Sequence, residues 1–69
     1  MYQTLVSNGE QVTRNGQRHT VYRTHSAHYS KSAAIKEAQR LYAHAPLDAP
    51  VSVAVDCAET FTVVWRLDQ

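Results

Sequence analysis

The chain of 69 residues holds a single cysteine, Cys57, and so has no internal disulfide. Small secreted domains with little core are normally stapled by several disulfides, so one lone thiol points to a reducing compartment, and a cytoplasmic location is expected. Glycine is scarce as well: Gly9 and Gly16 are the only two, each preceded by asparagine. No glycine-rich phosphate-binding loop can be built from them. Long hydrophobic runs are missing. The longest, from Val51 to Ala58, is broken by Ser52 and Asp56 and falls far short of the roughly 20 apolar residues that cross a bilayer. Tyr2 to Val6 is followed at once by Ser7, Asn8, Gly9 and Glu10, unlike the basic and then apolar pattern of an export signal. A membrane partner is not expected.

What is present is ordinary globular material, 43% hydrophobic and 19% charged, outside the composition of disordered chains. This length makes one domain, residues 1 to 69. Surface scaling gives about 4,400 Å² folded against about 11,300 Å² unfolded, so roughly 61% of the surface is removed from water and stability is modest. The formal net charge of +1 conceals an asymmetry. Residues 1 to 40 carry Arg14, Arg18, Arg23, Lys31, Lys36 and Arg40 against Glu10 and Glu37, a net of +4. Residues 41 to 69 carry Arg66 against Asp48, Asp56, Glu59 and Asp68, a net of −3. If the two halves do not interleave in space, the molecule is a charge dipole with one basic end.

Asn8-Gly9 and Asn15-Gly16 are each the preferred central pair of a type I′ turn, in which both residues need positive φ. They predict two successive hairpins with strands Tyr2 to Ser7, Glu10 to Arg14 and Gln17 to Thr24, the middle one nearly all polar. His25 to Tyr29 has no period and reads as a loop. Ser30 can cap a helix, with Ser32 as the alternative. From Lys31 to about Ala45, Ala34, Ile35, Ala38, Leu41, Tyr42 and Ala45 fall on one helical face, with Ile35, Leu41 and Tyr42 supplying most of its area. Glu37 and Arg40 stand at i, i+3 on the other side and should pair. Pro46 and Pro50 end the helix. Val51, Val53 and Val55, then Phe61, Val63, Trp65 and Leu67, alternate with smaller or polar residues and predict two further strands with a hairpin loop from Cys57 to Thr60. The fold class is therefore α+β: an antiparallel sheet of four to five strands with one helix packed on one face, in the order β-β-β-α-β-β. Phe61, Val63, Trp65 and Leu67 are expected under the helix, and Thr62, Val64 and Arg66 on the outer face beside Ser52 and Ala54.

Candidate chemistry is thin. His25 and His28 stand three apart, and His19, His44 or Cys57 could complete a metal set, but only one spaced pair is present and surface histidines are the expected reading. Cys57 as a nucleophile needs a lowered pKa, an oriented base and a cleft; a half-buried cysteine at a strand end is expected instead. Asp56 and Glu59 lie near one turn, where acids are common. No enzyme activity and no cofactor are expected. The segment Arg14 to Lys31 interleaves bases with aromatics, which suits phosphates and stacked bases as well as acidic protein surfaces. It carries no RNP-type strand or recognition-helix motif. On an extended strand Arg18, Thr20 and Tyr22 share one face and His19, Val21 and Arg23 the other.

With strand Gln17 to Thr24, helix Lys31 to Ala45, and strands Val51 to Asp56 and Phe61 to Leu67, the chain resembles the small phage-encoded inhibitors of host machinery, anti-CRISPR proteins among them, in size and order of elements. The resemblance implies a stoichiometric inhibitor that blocks a host protein complex by occupying its surface, and it transfers no site. The expected function is thus a non-catalytic protein-binding module whose partner is a host protein or complex with an acidic surface. Its expected contacts are Arg18, Tyr22, Arg23, Tyr29, Lys36 and Arg40, because arginines and large planar side chains dominate interface energetics. The alternative is a small nucleic-acid-binding accessory protein using the same basic half. Open sheet edges leave room for a homodimer.

Overall fold

The computed structural model describes residues 1–43 and 52–68. Six strands and one helix follow in the order β1 (Tyr2–Ser7), β2 (Gln11–Arg14), β3 (Gln17–Thr20), β4 (Arg23–His28), α1 (Lys31–Ala43), β5 (Ser52–Cys57) and β6 (Thr62–Asp68). The main sheet has the order β4-β1-β5-β6, all antiparallel neighbours, and β2 and β3 form a separate two-stranded sheet. The α+β class and the helix-on-sheet arrangement are as the sequence implies. The two prolines, Ala45 and Val51 lie outside the described residues.

The centre of the sheet follows from charge. β1 has no charged residue, and β5 has four consecutive buried residues, Ser52 to Val55. Buried strand segments carry few charges, so β1 and β5, whose single charged residue Asp56 lies beyond its buried run, take the middle, and the edges fall to β4 and β6, which carry Arg23, Arg66 and Asp68. β4 and β5 both pair with β1 from opposite sides and run the same way, so the segment containing α1 crosses over β1 between them.

The helix begins where Ser30 allows it. The Ala33 N–H, which has no carbonyl partner inside the helix, donates to Ser30 Oγ at 3.4 Å, and the Ala34 N–H makes the first helical bond to the Ser30 carbonyl at 3.2 Å. Ala34 and Ala38 are fully buried and pack on Val53 and Val55, ringed by Tyr2, Val6, Ile35, Tyr42, Val64, Trp65 and Leu67. Alanine at the contact lets the helix backbone approach the sheet closely. The approach is clamped by Thr4, fully buried on β1, whose Oγ1 donates to the Ala34 carbonyl at 2.9 Å.

Several sequence expectations are corrected. Only Asn15-Gly16 makes the predicted turn, with φ of 52° and 79°; at the other pair Gly9 alone has positive φ, 92°, and its N–H donates to Ser7 Oγ while Glu10 N–H donates to Asn8 Oδ1. β2 cannot pair with β1, because β4 and β5 already occupy both its edges. The expected strand Gln17 to Thr24 is two strands broken at Val21 and Tyr22, and the expected loop from His25 onward belongs to β4. Its missing period is a β-bulge: Thr4 opposes Ser26 and Leu5 opposes Thr24, leaving His25 as the extra residue. A second bulge reverses the expected facing of part of β6. Val55 opposes Trp65 and Asp56 opposes Val63, so Val64 is extra; Val64 packs on the core while Val63 is 55% and Phe61 87% exposed. Trp65 and Leu67 lie against the core as expected. On the outer face Ser52 and Ala54 are buried rather than open. Ala54 lies between Leu5 and Arg66 in register, where a one-carbon side chain sits below its taller neighbours.

The molecule is a slab of 35 × 32 × 15 Å with 4981 Å² of accessible surface. That area exceeds the about 4,400 Å² of a typical folded chain of this mass. The β2–β3 hairpin contributes to the excess, since all eight of its strand residues are exposed.

Candidate functional site

The two charge halves meet over the sheet, because α1, which carries Lys36 and Arg40, packs mainly on β5 and β1 and less on β4. Uncharged β1 divides the sheet, with β4 on one side and β5 and β6 on the other. Arg14, Arg18, Arg23, Lys31, Lys36 and Arg40 are all exposed on the hairpin, on β4 and on α1. Asp56, Glu59 and Asp68 belong to β5, its following turn and β6, where Arg66 is the single base. No aspartate or glutamate lies between Glu10 and Glu37, and this acid-free span forms the hairpin, β4 and the first turns of the helix.

The expected contact residues form a band in chain order, from the hairpin through β4 to the solvent face of α1. Arg18 stands on β3 opposite Thr13, and Arg23 opens β4 opposite Val6. Tyr22, half-buried in the linker between them, shares a hydrogen bond of 2.9 Å with Ser52 Oγ, so its hydroxyl serves the fold and anchors the linker to β5. Tyr29, 89% exposed, follows β4, about 20 Å from Arg23 at the rise of an extended strand. Lys36 and Arg40 lie on the solvent face of α1. Arg40 is engaged there, its Nε and Nη2 donating to Glu37 at 2.6 and 2.8 Å, and His25 Nε2 meets Glu37 Oε2 at 3.2 Å. The bulge aims His25 at the helix. The Arg40 hydrogen bonds, aided by the Arg40 charge and by His25 and opposed by desolvation, hold the Glu37 carboxyl down at about 2. The one acid of α1 is therefore already matched by a base.

Two residues outside the expected contact set complete the band. The Asn15-Gly16 register pairs Val12 with His19 and Arg14 with Gln17, which puts Arg14 and His19 on one hairpin face. With Val12, Thr20, Val21 and Tyr22 they line an open concavity of about 380 Å³. The sequence signal for them was the acid-free span itself, since a hairpin that buries nothing has no core reason to exclude acids.

Groups considered for catalysis stand apart. Cys57 ends β5 half-buried, its Sγ donating to Glu59 Oε2 at 3.3 Å, and Glu59 also pairs with the Met1 ammonium. Tyr2 opposes both Cys57 and His28, so the two are separated by two strand spacings, about 10 Å. His28 Nε2 contacts Ser26 Oγ at 2.8 Å instead. Among the described residues no group of three or more histidine, cysteine or acidic side chains is placed to hold a metal ion, and no helix is long and apolar enough to cross a membrane. Comparison with protein-family models, curated proteins and solved structures finds no match.

Proposed function

We propose that the chain is a non-catalytic protein-binding module that holds an acidic surface of a partner protein or complex with its basic side, acting in the cytoplasm as a stoichiometric blocker in the manner of phage-encoded inhibitors of host machinery. The observation that supports this reading is that every arginine and lysine of the hairpin, β4 and α1 is exposed, in a span with no acid between Glu10 and the already paired Glu37. A standard interface buries about 800 Å² per partner, roughly a sixth of the 4981 Å² here. Complementary fields steer such a surface to an acidic one and reject basic competitors.

The test is retention of proteins by the tagged chain from host lysate, with and without nuclease, beside a variant carrying Arg18→Glu, Arg23→Glu and Lys36→Glu. A protein retained stoichiometrically in both lysates by the wild type and lost by the triple variant is the expected result. Retention that requires intact nucleic acid, with affinity falling steeply with salt as counterions are released, would replace this reading by the nucleic-acid alternative.

A further inference from the structure

We infer that the open edge of β4 is a strand-addition site for an extended acidic segment of a partner polypeptide. The inference rests on the protein-binding reading and specifies where and how binding occurs. β4 runs six residues without proline at the edge of the main sheet, and among the described residues no strand pairs with its outer side. An edge strand presents unpaired N–H and C=O groups in alternation, a template that an incoming strand completes.

Charge selects the incoming strand. Arg23 and Lys31 bracket β4, and along it stand only Thr24, His25, Ser26, Ala27 and His28, with no acid on the strand. Glu37, the acid that faces it from α1, is held by Arg40 and His25. An acidic strand gains from this field and a basic one is repelled. A second copy docked through its own β4 would set cations against cations, so the edge favours a different chain. The geometry also extends beyond the six residues. The linker residues Val21 and Tyr22 lead directly into Arg23 and form one wall of the concavity that holds Arg14 and His19, so a strand running past Arg23 meets a guanidinium and an imidazole set among apolar walls. Exposed Tyr29 waits at the other end.

The test selects twelve-residue peptides from a random displayed library on the purified chain, then measures the best synthetic peptide by fluorescence anisotropy and by amide hydrogen exchange. Expected are sequences with Asp or Glu at alternate positions, slowed exchange of outward amides in β4 and none in β6, and loss of binding when alternate peptide amides are N-methylated. Arg23→Glu should weaken the peptide about fivefold to tenfold, the scale of one or two exposed ion pairs, while its circular dichroism spectrum stays that of the wild type. Peptides without acid enrichment, protection at β6 rather than β4, indifference to N-methylation, or perturbation of β4 by oligothymidylate but by no peptide would each overturn the assignment. If lysate capture succeeds while β4 amides stay unprotected, the edge site fails and the binding reading stands.

Discussion

Phe61 gives the sharpest test of how the sheet is built, because its pattern in sequence and its place in the structure lead to opposite expectations. Alternation with Val63, Trp65 and Leu67 assigns it to the core, where phenylalanine to alanine costs about 3 to 5 kcal/mol. In the structure it is 87% exposed with φ of 55°, the last residue of a turn in which its N–H donates to the Cys57 carbonyl at 2.8 Å. The 13% left covered is about 25 Å² of a ring of roughly 200 Å², worth about 0.6 kcal/mol at about 25 cal/mol per Å². Phe61→Ala keeps the left-handed backbone strain and loses only that contact, a cost of about 0.6 kcal/mol. Phe61→Gly loses the same contact and about 0.5 to 1 kcal/mol to unfolded-chain entropy, but relieves about 1 to 2 kcal/mol of strain. The combined loss of about 1.1 to 1.6 kcal/mol and the relief of about 1 to 2 kcal/mol nearly cancel, so glycine should stand near the wild type and no lower than alanine, an order opposite to that of an ordinary strand site. Urea unfolding followed by far-ultraviolet circular dichroism reads this directly: at about 1 kcal/mol per M, the alanine midpoint falls by about 0.6 M and the glycine midpoint stays near the wild type. A midpoint loss above about 2 M for alanine, or glycine clearly below alanine, would refute both the exposure and the turn geometry.

Thr4→Val keeps shape but removes the hydroxyl that donates to Ala34, and should cost about 1 kcal/mol in urea unfolding; an unchanged or raised stability would show that the clamp contributes nothing. Ala38→Leu drives three extra carbons into a fully buried helix contact, and overpacking of about 1 to 3 kcal/mol should lower the thermal midpoint by roughly 4 to 8 °C per kcal/mol. Glu37, depressed to about 2 from an ordinary value of 4.5, contributes stability that is fully present above about pH 4.5 and is lost as pH falls toward 2, because the unfolded chain takes up the proton first. Thermal melts of the wild type and of Glu37→Gln should therefore differ near pH 6 and converge near pH 2, and a difference that persists at pH 2 would assign the effect to something other than this carboxylate. Gly16 has φ of 79° with nothing near enough to touch an added Cβ, so Gly16→Ala should cost about 1 kcal/mol through backbone strain alone, seen as faster amide exchange in β2 and β3.

The sequence by itself determined the elements whose signals are local. The three- and four-residue spacing of Ala34, Ile35, Ala38 and Tyr42 made the helix, Ser30 capped it, Asn15-Gly16 turned one hairpin, and alternation in Val53 and Val55 marked a core strand. The charge imbalance between the halves was also legible, as were the bases and tyrosines that came to form the band. Tertiary structure decided the rest. Whether Asn8-Gly9 closes a hairpin depends on which strands claim the edges of β1, and β4 and β5 bring residues that β2 lacks. The facing of Phe61, Val63 and Val64, and the hidden strand through His25, turn on bulges. A bulge is one unpaired residue placed by competition between two registers, and it leaves no mark in a sequence read one strand at a time. The place of uncharged β1 between β4 and β5 is likewise a consequence of burial at the centre of a sheet that no stretch of sequence contains alone.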